Sequence, residues 1–314
     1  MKRIIALSAL FICATLGAQE LSGTYMVAER DTCNLYMDVY LPAPGSETTL
    51  DGAAKPAILY VFGGGFISGR RNDPFCLPWF KVLTDNGYGV VAVDYRLGLK
   101  GIKMRFDLFH LFESARHTKR AVDIGVEDVF ASVRYLIDNA DTIGIDPNNL
   151  VIAGSSAGAM ISLSSGLETC SPTERTAILP EGFRFKGVMS FARAIMSDTG
   201  TPEYAVEPAP HLLFHGTEDA AVNYGSRAFG RYGMFGSSYL ADKVFSKNGY
   251  VYQIYRYQGH GHDIAAHMMA TWPEQKRFLE VNVIQGQRRI VDATLDDPTV
   301  PVWKSISISL DDIY

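Results

Sequence analysis

Short apolar runs alternate with helical patterns along most of this chain, and this alternation constrains its fold more than any other feature. Residues 34–42 and 250–257 alternate in polarity, as half-exposed strands do. Residues 126–137 place apolar side chains at three- and four-residue spacing, which forms one stripe of a helix. The remaining runs are continuously apolar, as buried parallel strands are: residues 57–62, 89–95, 150–154, 185–192 and 210–216. The pattern predicts an α/β protein with a mostly parallel central sheet and helices on both faces.

The chain contains no Pro-, Gly- or Ser-rich linker, so residues 19–314 are expected to form a single domain. Residues 286–314 are the uncertain part, because their alternating pieces suit either an edge strand or a surface arm. The formal net charge is −5 and no block of Lys or Arg stands out. This charge distribution argues against a nucleic-acid partner.

Residues 1–18 have the pattern of a secretory signal peptide. Lys2 and Arg3 precede the apolar stretch 4–16, and small residues follow it, so cleavage is expected after Ala18. The apolar stretch is shorter than the roughly 20 residues that span a bilayer, so no stable membrane span is expected, and a membrane anchor is the alternative. The sequence predicts a secreted or periplasmic protein.

Cysteines at three positions follow the predicted signal peptide: Cys33, Cys76 and Cys170. Export permits disulfides, but three thiols allow at most one bridge, and the sequence does not choose the pair. A role as small buried apolar side chains is the alternative.

Residues 152–160, "IAGSSAGAM", place two serines between two glycines directly after an apolar run. Residues 154–158 fit the G-x-S-x-G pattern of a nucleophile elbow, which requires a strand before it and a helix after it. The turn is so tight that the residues two before and two after its centre must be small, and both are glycine. The pattern predicts Ser156 as the nucleophile and Ser155 as a packed neighbour without a catalytic role. A Gly/Ser-rich turn is the alternative.

A run of glycines, Gly63, Gly64 and Gly65, follows the apolar run 57–62. Acyl transfer passes through a tetrahedral oxyanion, which backbone N–H groups must approach to about 2.7–3.1 Å. Glycine lets the backbone come that close. Their place after a strand and before the elbow favours an oxyanion loop over a flexible loop.

In the order of these motifs, the chain resembles the serine esterases and carboxylesterases of the α/β-hydrolase fold, in the branch with an H-G-G-G-F oxyanion loop. The resemblance covers residues 34–285. It implies the α/β-hydrolase fold, with Gly64, Gly65 and Ala157 as the backbone donors of the oxyanion hole. Phe62 stands where the family has a histidine that is thought to brace the loop, so the resemblance does not account for the support of this loop.

The resemblance also implies the two partners of the serine, which follow it in the order acid, histidine. "HLLFHGTEDAAVNY" (211–224) is similar to the family's H-G-T-x-D segment and supplies Asp219. "YQGHGHDIAAH" (257–267) is similar to its G-x-G-H segment and supplies His262. His262 would take the proton from Ser156 and return it to the leaving group, while Asp219 would orient the imidazole.

Other side chains compete for these two roles. His260 lies two residues from His262, and on an extended loop the two would point in opposite directions, so only one can face the serine. The register with the family favours His262. Glu218 and Asp198 compete with Asp219 as the acid. Structural or surface roles are expected for the other histidines, which are His110, His117, His211, His215 and His267.

The segment "HGHD" (260–263), together with His267, also carries the ligand types that bind zinc. A metal-dependent hydrolase is therefore an alternative, although the segment stands where the family has its catalytic histidine. We predict no metal and no other cofactor, since a triad and backbone donors supply the chemistry of acyl transfer.

Residues 96–125 form a long connection, whereas strand-to-helix connections typically have about 2–6 residues. The stretch predicts either a packed surface helix or a wall of the substrate pocket. Its large apolar side chains are Met104, Phe106, Leu108, Phe109, Leu111 and Phe112.

The motifs together predict a serine hydrolase that cleaves carboxylic esters through an acyl-enzyme. The resemblance implies small-molecule or carbohydrate-linked substrates such as acetyl or feruloyl esters. A serine peptidase of the prolyl-oligopeptidase type shares the elbow and the triad order, but those enzymes usually carry a propeller domain, for which 314 residues leave no room. A non-catalytic binding protein on this fold would normally have lost a triad member or the glycine loop.

Overall fold

The computed structural model describes residues 20–105, 107 and 109–303. Its strands are β1 (Gly23–Arg30), β2 (Cys33–Tyr40), β3 (Ala57–Val61), β4 (Val90–Val93), β5 (Leu150–Ser155), β6 (Gly187–Phe191), β7 (Ala194–Ser197), β8 (His211–Gly216), β9 (Ser226–Phe229), β10 (Tyr232–Gly236), β11 (Tyr252–Tyr257) and β12 (Val291–Leu295). Its α-helices are α1 (Leu77–Asp85), α2 (Leu111–Asp138), α3 (Ala140–Ile143), α4 (Ala157–Cys170), α5 (Ser237–Tyr239), α6 (Ser246–Asn248) and α7 (Trp272–Phe278). Segments Glu174–Ile178 and His262–Ala266 are 3-10 helical, and Leu240–Phe245 and Leu279–Ile284 are π-helical.

Within the described residues, nine strands form one sheet in the order β1-β2-β4-β3-β5-β6-β8-β11-β12. Neighbours from β4 to β12 are parallel, and only the β1–β2 and β2–β4 pairs are antiparallel, at one edge. Strands β3, β4, β5, β6 and β8 are buried at every residue, which requires cover on both faces of the sheet. The predicted mostly parallel sheet of the α/β-hydrolase fold is confirmed.

Helix α2 runs unbroken from Leu111 to Asp138, so it begins well before the predicted apolar stripe. The C-terminal part of the stretch 96–125 is therefore a surface helix rather than an irregular loop. Phe112 at its start is half exposed and packs edge-on against Tyr232, with 5.1 Å between the ring centroids. Phe106 and Leu108 lie outside the described residues.

A second, antiparallel sheet in the order β7-β10-β9 was not predicted from the sequence. Its strands have only four or five residues, and β10 begins and ends beside glycines, so no periodic pattern is long enough to reveal them. Strand β7 follows β6 after two residues, Ala192 and Arg193.

The parallel register brings the predicted motifs to one edge. Val61 of β3 pairs with Gly154 of β5, and Gly216 of β8 pairs with Tyr257 of β11. The carboxyl ends of these strands therefore face the same side, and the loops that follow them meet there. That edge is where ligands bind in open α/β sheets.

The C-terminal part of the described chain joins the sheet, because β12 pairs with β11 in parallel and forms its edge. Of the two interpretations of residues 286–314, the edge strand is thus the one observed for Val291–Leu295. Cys33, Cys76 and Cys170 are free thiols. Among the described residues, no helix is long and apolar enough to cross a membrane. The predicted signal peptide, residues 1–18, lies outside the described residues.

Candidate active site

The turn between β5 and α4 has the geometry that its glycines predict. Ser156 has φ 52° and ψ −124°, a conformation that L-residues adopt only under constraint. A Cβ atom on Gly158 would lie 2.1 Å from the carbonyl oxygen of Val61, and one on Gly154 would lie 2.3 Å from that of Gly158. Only glycine fits at both positions, so the strand, the turn and the helix can pack as closely as the strained serine requires.

The side chains of Ser156, His262 and Asp219 form one hydrogen-bonded line. The Oγ atom of Ser156 lies 2.9 Å from Nε2 of His262, and Nδ1 of His262 lies 2.8 Å from Oδ2 of Asp219. The amide of Val222 donates to Oδ1 of Asp219 at 2.8 Å. Asp219 and His262 are 8% and 4% exposed, so this line is shielded from water along most of its length.

The pKa values of the two ionisable groups are shifted to suit proton transfer. Burial alone would raise the pKa of Asp219, but hydrogen bonds from His215 and His262 outweigh it and hold the pKa well below its usual range. Burial lowers the pKa of His262, and the positive charge of Arg193 lowers it further, against the hydrogen bond to Asp219, which raises it. At neutral pH Asp219 is therefore charged and His262 is neutral, with Nε2 ready to accept a proton.

The rival side chains lie elsewhere. His260 is buried and its Nδ1 contacts Oδ2 of Asp263 at 2.7 Å. Glu218 is exposed, and Asp198 pairs with Arg231 at 3.3 Å. The structure thus places His262 beside the serine and Asp219 beside His262, rather than these neighbours.

Among the described residues, one group could hold a metal ion: His260, Asp263 and His267, with one ligand atom from each within 4.8 Å of the others. The carboxylate of Asp263 is already a hydrogen-bond acceptor on both oxygens. Its Oδ1 accepts the Gly261 amide at 2.8 Å, and its Oδ2 accepts the Trp303 amide at 3.2 Å beside the 2.7 Å contact with His260. These bonds fix the backbone on both sides of His262, so the cluster has a structural use without an ion.

The glycine loop adopts conformations that other residues rarely reach. Gly64 and Gly65 have φ 126° and 63°, and a Cβ on Gly64 would lie 2.2 Å from the Ser68 carbonyl oxygen. Ala157 is the first residue of α4, where helical N–H groups have no partner within the helix. Gly64 and Gly65 line the same cavity as Ser156.

The glycine loop is supported by Phe62, which stands in place of the usual histidine, together with Tyr95. Their rings stack with 4.4 Å between centroids and 26° between planes. The Tyr95 hydroxyl donates to the Phe62 carbonyl oxygen at 3.0 Å. A stacked aromatic pair with a hydroxyl anchor thus braces the start of the glycine loop.

Ser155 has a structural role beside the elbow. Its hydroxyl donates to the Ala265 carbonyl oxygen at 2.6 Å, and its side chain is buried. Ala265 belongs to the 3-10 segment that begins with His262, so Ser155 ties the elbow to the histidine loop.

A cavity of about 440 Å³ opens beside Ser156. Phe62, Ile67 and Met268 contribute apolar walls, and Arg70 and Asp73 contribute charged groups. None of the described residues of the stretch 96–125 lines this cavity, so the interpretation of that stretch as a wall of the pocket at the serine is wrong for the part described.

Sequence reasoning missed two residues of the site. Arg193 donates from Nη2 to Oγ of Ser156 at 2.7 Å. His215 was expected to be structural, but its Nε2 atom lies 3.2 Å from Oδ2 of Asp219. For His215 a local signal exists, because it lies four residues before Asp219 at the end of a strand. Arg193 lies 37 residues from the serine and has no local signal.

Comparisons with known proteins point to esterases. The model of the carboxylesterase family matches residues 13–183, more than half of the chain, and this span includes the glycine loop and Ser156 but ends before Asp219. Esterase E4 of Myzus persicae is 28% identical over 146 residues, which cover 46% of this chain and 24% of that protein. Ethyl acetate hydrolase of Pseudomonas putida is 27% identical over 197 residues, which cover 58% of this chain and 54% of that protein.

The solved structures similar to this one include the apo form of Thermogutta terrifontis esterase 2. The TM-score is 0.57 at 20% sequence identity, and the match covers 84% of this chain and 96% of the other. At this identity the likeness establishes the fold. The match with the two curated relatives, in contrast, spans about a quarter of the first and about half of the second.

Proposed function

Because the chain belongs to the carboxylesterase family, we propose that it is a serine hydrolase that cleaves carboxylic esters through an acyl-enzyme. The observation that carries this proposal is the line from Ser156 through His262 to Asp219, which opens onto a cavity next to the glycine loop. Acyl transfer needs a nucleophile, a neutral base and a charged orienting group in hydrogen-bonded order, and the three side chains have this order.

In the first half of the reaction, Oγ of Ser156 attacks the ester carbonyl carbon while its proton passes to Nε2 of His262. The carbonyl electron pair moves onto the oxygen and forms the tetrahedral intermediate. When that pair returns, the bond between the acyl carbon and the alcohol oxygen breaks, and His262 gives its proton to the departing alcohol. Asp219 stabilises the imidazolium between these two steps.

In the second half, a water molecule repeats the sequence. Its proton passes to His262, its oxygen bonds to the acyl carbon, and the bond from that carbon to Oγ breaks. Oγ takes the proton back, so the products are one carboxylic acid and one alcohol per ester and water consumed. The amides of Gly64, Gly65 and Ala157 are the proposed donors to the oxyanion in both halves.

The substrates that we propose are small-molecule or carbohydrate-linked esters with an acetyl or feruloyl acyl group. The apolar walls of the cavity suit an acyl group, and Arg70 and Asp73 offer polar contacts to a hydroxylated alcohol. The name of the relative from Pseudomonas putida, ethyl acetate hydrolase, favours a short acyl chain. We also propose that residues 1–18 direct the enzyme to the periplasm or the exterior of the cell.

The test compares hydrolysis of p-nitrophenyl acetate with that of a peptide p-nitroanilide and records labelling by a fluorophosphonate. We expect the protein to cleave the ester in preference to the amide, to be labelled at Ser156, and to keep its activity in a chelator. Ser156→Ala should lower kcat by about 10⁶, as in other serine hydrolases. Ser155→Ala, the matched control, should retain most of the activity because the Ser155 hydroxyl bonds the Ala265 carbonyl oxygen and not a member of the triad.

Each contrary outcome identifies a different error. Labelling of Ser155, or of neither serine, would contradict the assigned nucleophile. Loss of activity to a chelator without loss to the fluorophosphonate would point to a metal-dependent hydrolase. A folded protein that cleaves neither ester nor amide would favour a binding protein on this fold.

A further inference from the structure

Arg193 contacts the nucleophile, and it lies in a loop that carries no recognisable sequence motif. It follows β6, and the residue as a whole is 5% exposed. Its Nη2 atom donates to Oγ of Ser156 at 2.7 Å, which is as close as the contact between Ser156 and His262. A guanidinium is charged at every pH at which proteins fold, so this is a permanent cation within hydrogen-bond distance of the reacting oxygen.

The backbone that aims Arg193 is constrained in the way that functional sites are. Among the described residues, three that are not glycine have a positive φ: Phe66 in the glycine loop, Ser156 itself and Ala192. Ala192 has φ 57° and directly precedes Arg193, and its amide donates to the Phe214 carbonyl oxygen at 2.7 Å. Conformations of this kind persist where the surrounding structure fixes them, and they cluster at active sites.

The main chain of Arg193 is tied to the acid end of the site. Oγ of Ser237 lies 2.9 Å from the Arg193 carbonyl oxygen and 2.9 Å from Nδ1 of His215. His215 in turn contacts Oδ2 of Asp219 through Nε2 at 3.2 Å. The contacts close a ring that runs from Ser156 through His262, Asp219, His215 and Ser237 to Arg193 and back to Ser156. Arg193 therefore has a fixed position relative to both ends of the triad.

A serine hydroxyl has one proton to donate and two lone pairs to accept with. When the proton points to Nε2 of His262 and Nη2 of Arg193 occupies one lone pair, the second lone pair is left for attack on a carbonyl carbon. As the proton leaves, negative charge develops on Oγ, and a fixed cation in a site shielded from water stabilises that charge.

We propose that Arg193 is a further catalytic residue of this hydrolase, which holds Oγ of Ser156 opposite His262 and stabilises the negative charge that forms on it. This inference rests on the proposed esterase function, since it assigns a role in the same reaction. In the acyl-enzyme Oγ becomes an ester oxygen, and the same N–H group remains within reach of it for the second half of the reaction.

A packing role is the competing explanation, because Nη1 of Arg193 also lies 3.8 Å from the sulfur of Met160 on α4. The two roles differ in what a substitution changes. A packing residue affects the stability of the fold, whereas a residue that stabilises charge on Oγ affects the reactivity of Ser156 in a protein that is still folded.

The test uses Arg193→Met, which keeps the length of the side chain and removes its charge and donors, and Arg193→Lys, which keeps a charge. The readouts are kcat and KM for p-nitrophenyl acetate, the rate of fluorophosphonate labelling at Ser156, and Tm. The matched control is Arg175→Met, which breaks an ion pair with Glu168 and not a contact of the site.

We expect Arg193→Met to lower kcat by about 10²–10³ with little change in KM, as the removal of one charge-stabilising donor does. Labelling of Ser156 should slow by a similar factor, and Arg193→Lys should recover part of both rates. Arg175→Met should lower Tm and leave kcat and labelling near the wild-type values. If Arg193→Met unfolds, Arg193→Gln, which keeps a donor and removes only the charge, should still turn over and be labelled more slowly than the wild type.

The contrary results separate this inference from the proposed function. A wild-type protein that hydrolyses the ester, together with an Arg193→Met variant whose kcat and labelling stay within about threefold, overturns the role of Arg193 alone. A loss of rate in both Arg193→Met and Arg193→Gln that merely matches the fraction of unfolded protein also overturns it. A wild-type protein that neither hydrolyses the ester nor is labelled overturns the proposed function, and this inference with it.

Discussion

At the scale of single residues, the candidate site is a buried polar network in which contacts with histidine support the charge of the acid. Asp219 has two imidazoles within hydrogen-bond distance of one oxygen and a backbone amide on the other. An unpartnered buried carboxylate would be costly, whereas this one is held in its charged form. Its charge in turn orients His262, so the reactivity of the base depends on the surroundings of its neighbour.

The choice between His262 and His260 is tested by replacing each with alanine. His262→Ala removes the base and should lower kcat by about 10⁴–10⁶ without unfolding the protein. His260→Ala removes a contact of Asp263 and should lower the free energy of unfolding by about 1–3 kcal/mol. Its kcat should fall less than about tenfold. Steady-state kinetics and thermal unfolding of both variants show which histidine is the base. Inactivation of a folded His260→Ala variant would contradict the assignment of His262.

The acid side of the pH–rate profile is expected to report His262. The base works in its neutral form, so kcat/KM falls as the pH drops through the pKa of His262 in the folded protein. Burial lowers that pKa, and the charges of Arg193 and His215 lower it further. The hydrogen bond to Asp219 raises it, but by less. The midpoint should therefore lie below the usual value of about 6.5. Measurement of kcat/KM with an uncharged ester locates it, and a midpoint at or above that value contradicts this prediction.

At the scale of elements, the strand β5, the elbow and the helix α4 act as one packed unit. The N-terminal turn of α4 lies against the end of β3, so that Gly158 faces the carbonyl oxygens of Val61 and Phe62. All residues of α4 except Leu167 are buried. The elbow therefore has no free side toward which it could relax if a larger residue were introduced.

Gly158→Ala should accordingly disrupt the elbow. The added Cβ would lie 2.1 and 2.4 Å from two backbone oxygens, which cannot rotate away. We expect the free energy of unfolding to fall by about 1–3 kcal/mol and the labelling of Ser156 to be lost. Gly225→Ala is the control, since its Cβ would meet its nearest atom at 4.0 Å. Denaturant unfolding of both variants is the measurement, and equal stabilities would show that the elbow has more room than the structure indicates.

At the scale of the whole molecule, the C-terminal part of the described chain connects the sheet edge to the site. After β12, the chain returns to the histidine loop, where the Trp303 amide donates to Oδ2 of Asp263. The Trp303 ring lies 4.3 Å from the ring of His267 and 6.0 Å from that of Phe75, which lines the cavity. The edge strand and its continuation therefore support the loop that carries His262.

Trp303→Ala is expected to destabilise the protein through this connection. The change removes two ring contacts beside the histidine loop, so we expect a loss of about 1–3 kcal/mol in the free energy of unfolding. Val302→Ala, at a half-exposed neighbour, should stay within about 0.5 kcal/mol. Chemical denaturation compares the two, and a Trp303→Ala variant as stable as Val302→Ala would show that the segment does not support the loop.

The sequence by itself determined the fold class, the elbow at Ser156 and the place of the glycine loop, because each depends on neighbours along the chain. Apolar runs show where strands lie, and glycines at fixed offsets show where the backbone must turn tightly. The edge strand within residues 286–314 was one of two sequence interpretations, and only pairing with β11 selected it.

The tertiary structure decided which side chains meet, since those contacts join residues far apart in the chain. Ser156 and His262 are separated by 106 residues, and His262 faces the serine while His260 turns to Asp263 only because of how the loop folds after β11. The contact of Arg193 with Ser156 and the β7-β10-β9 sheet beside it left no periodic or motif signal. Hydrophobic periodicity reports which face of an element is buried, but a polar contact between two loops depends on the geometry of the strands that hold them, and that geometry exists only in the folded chain.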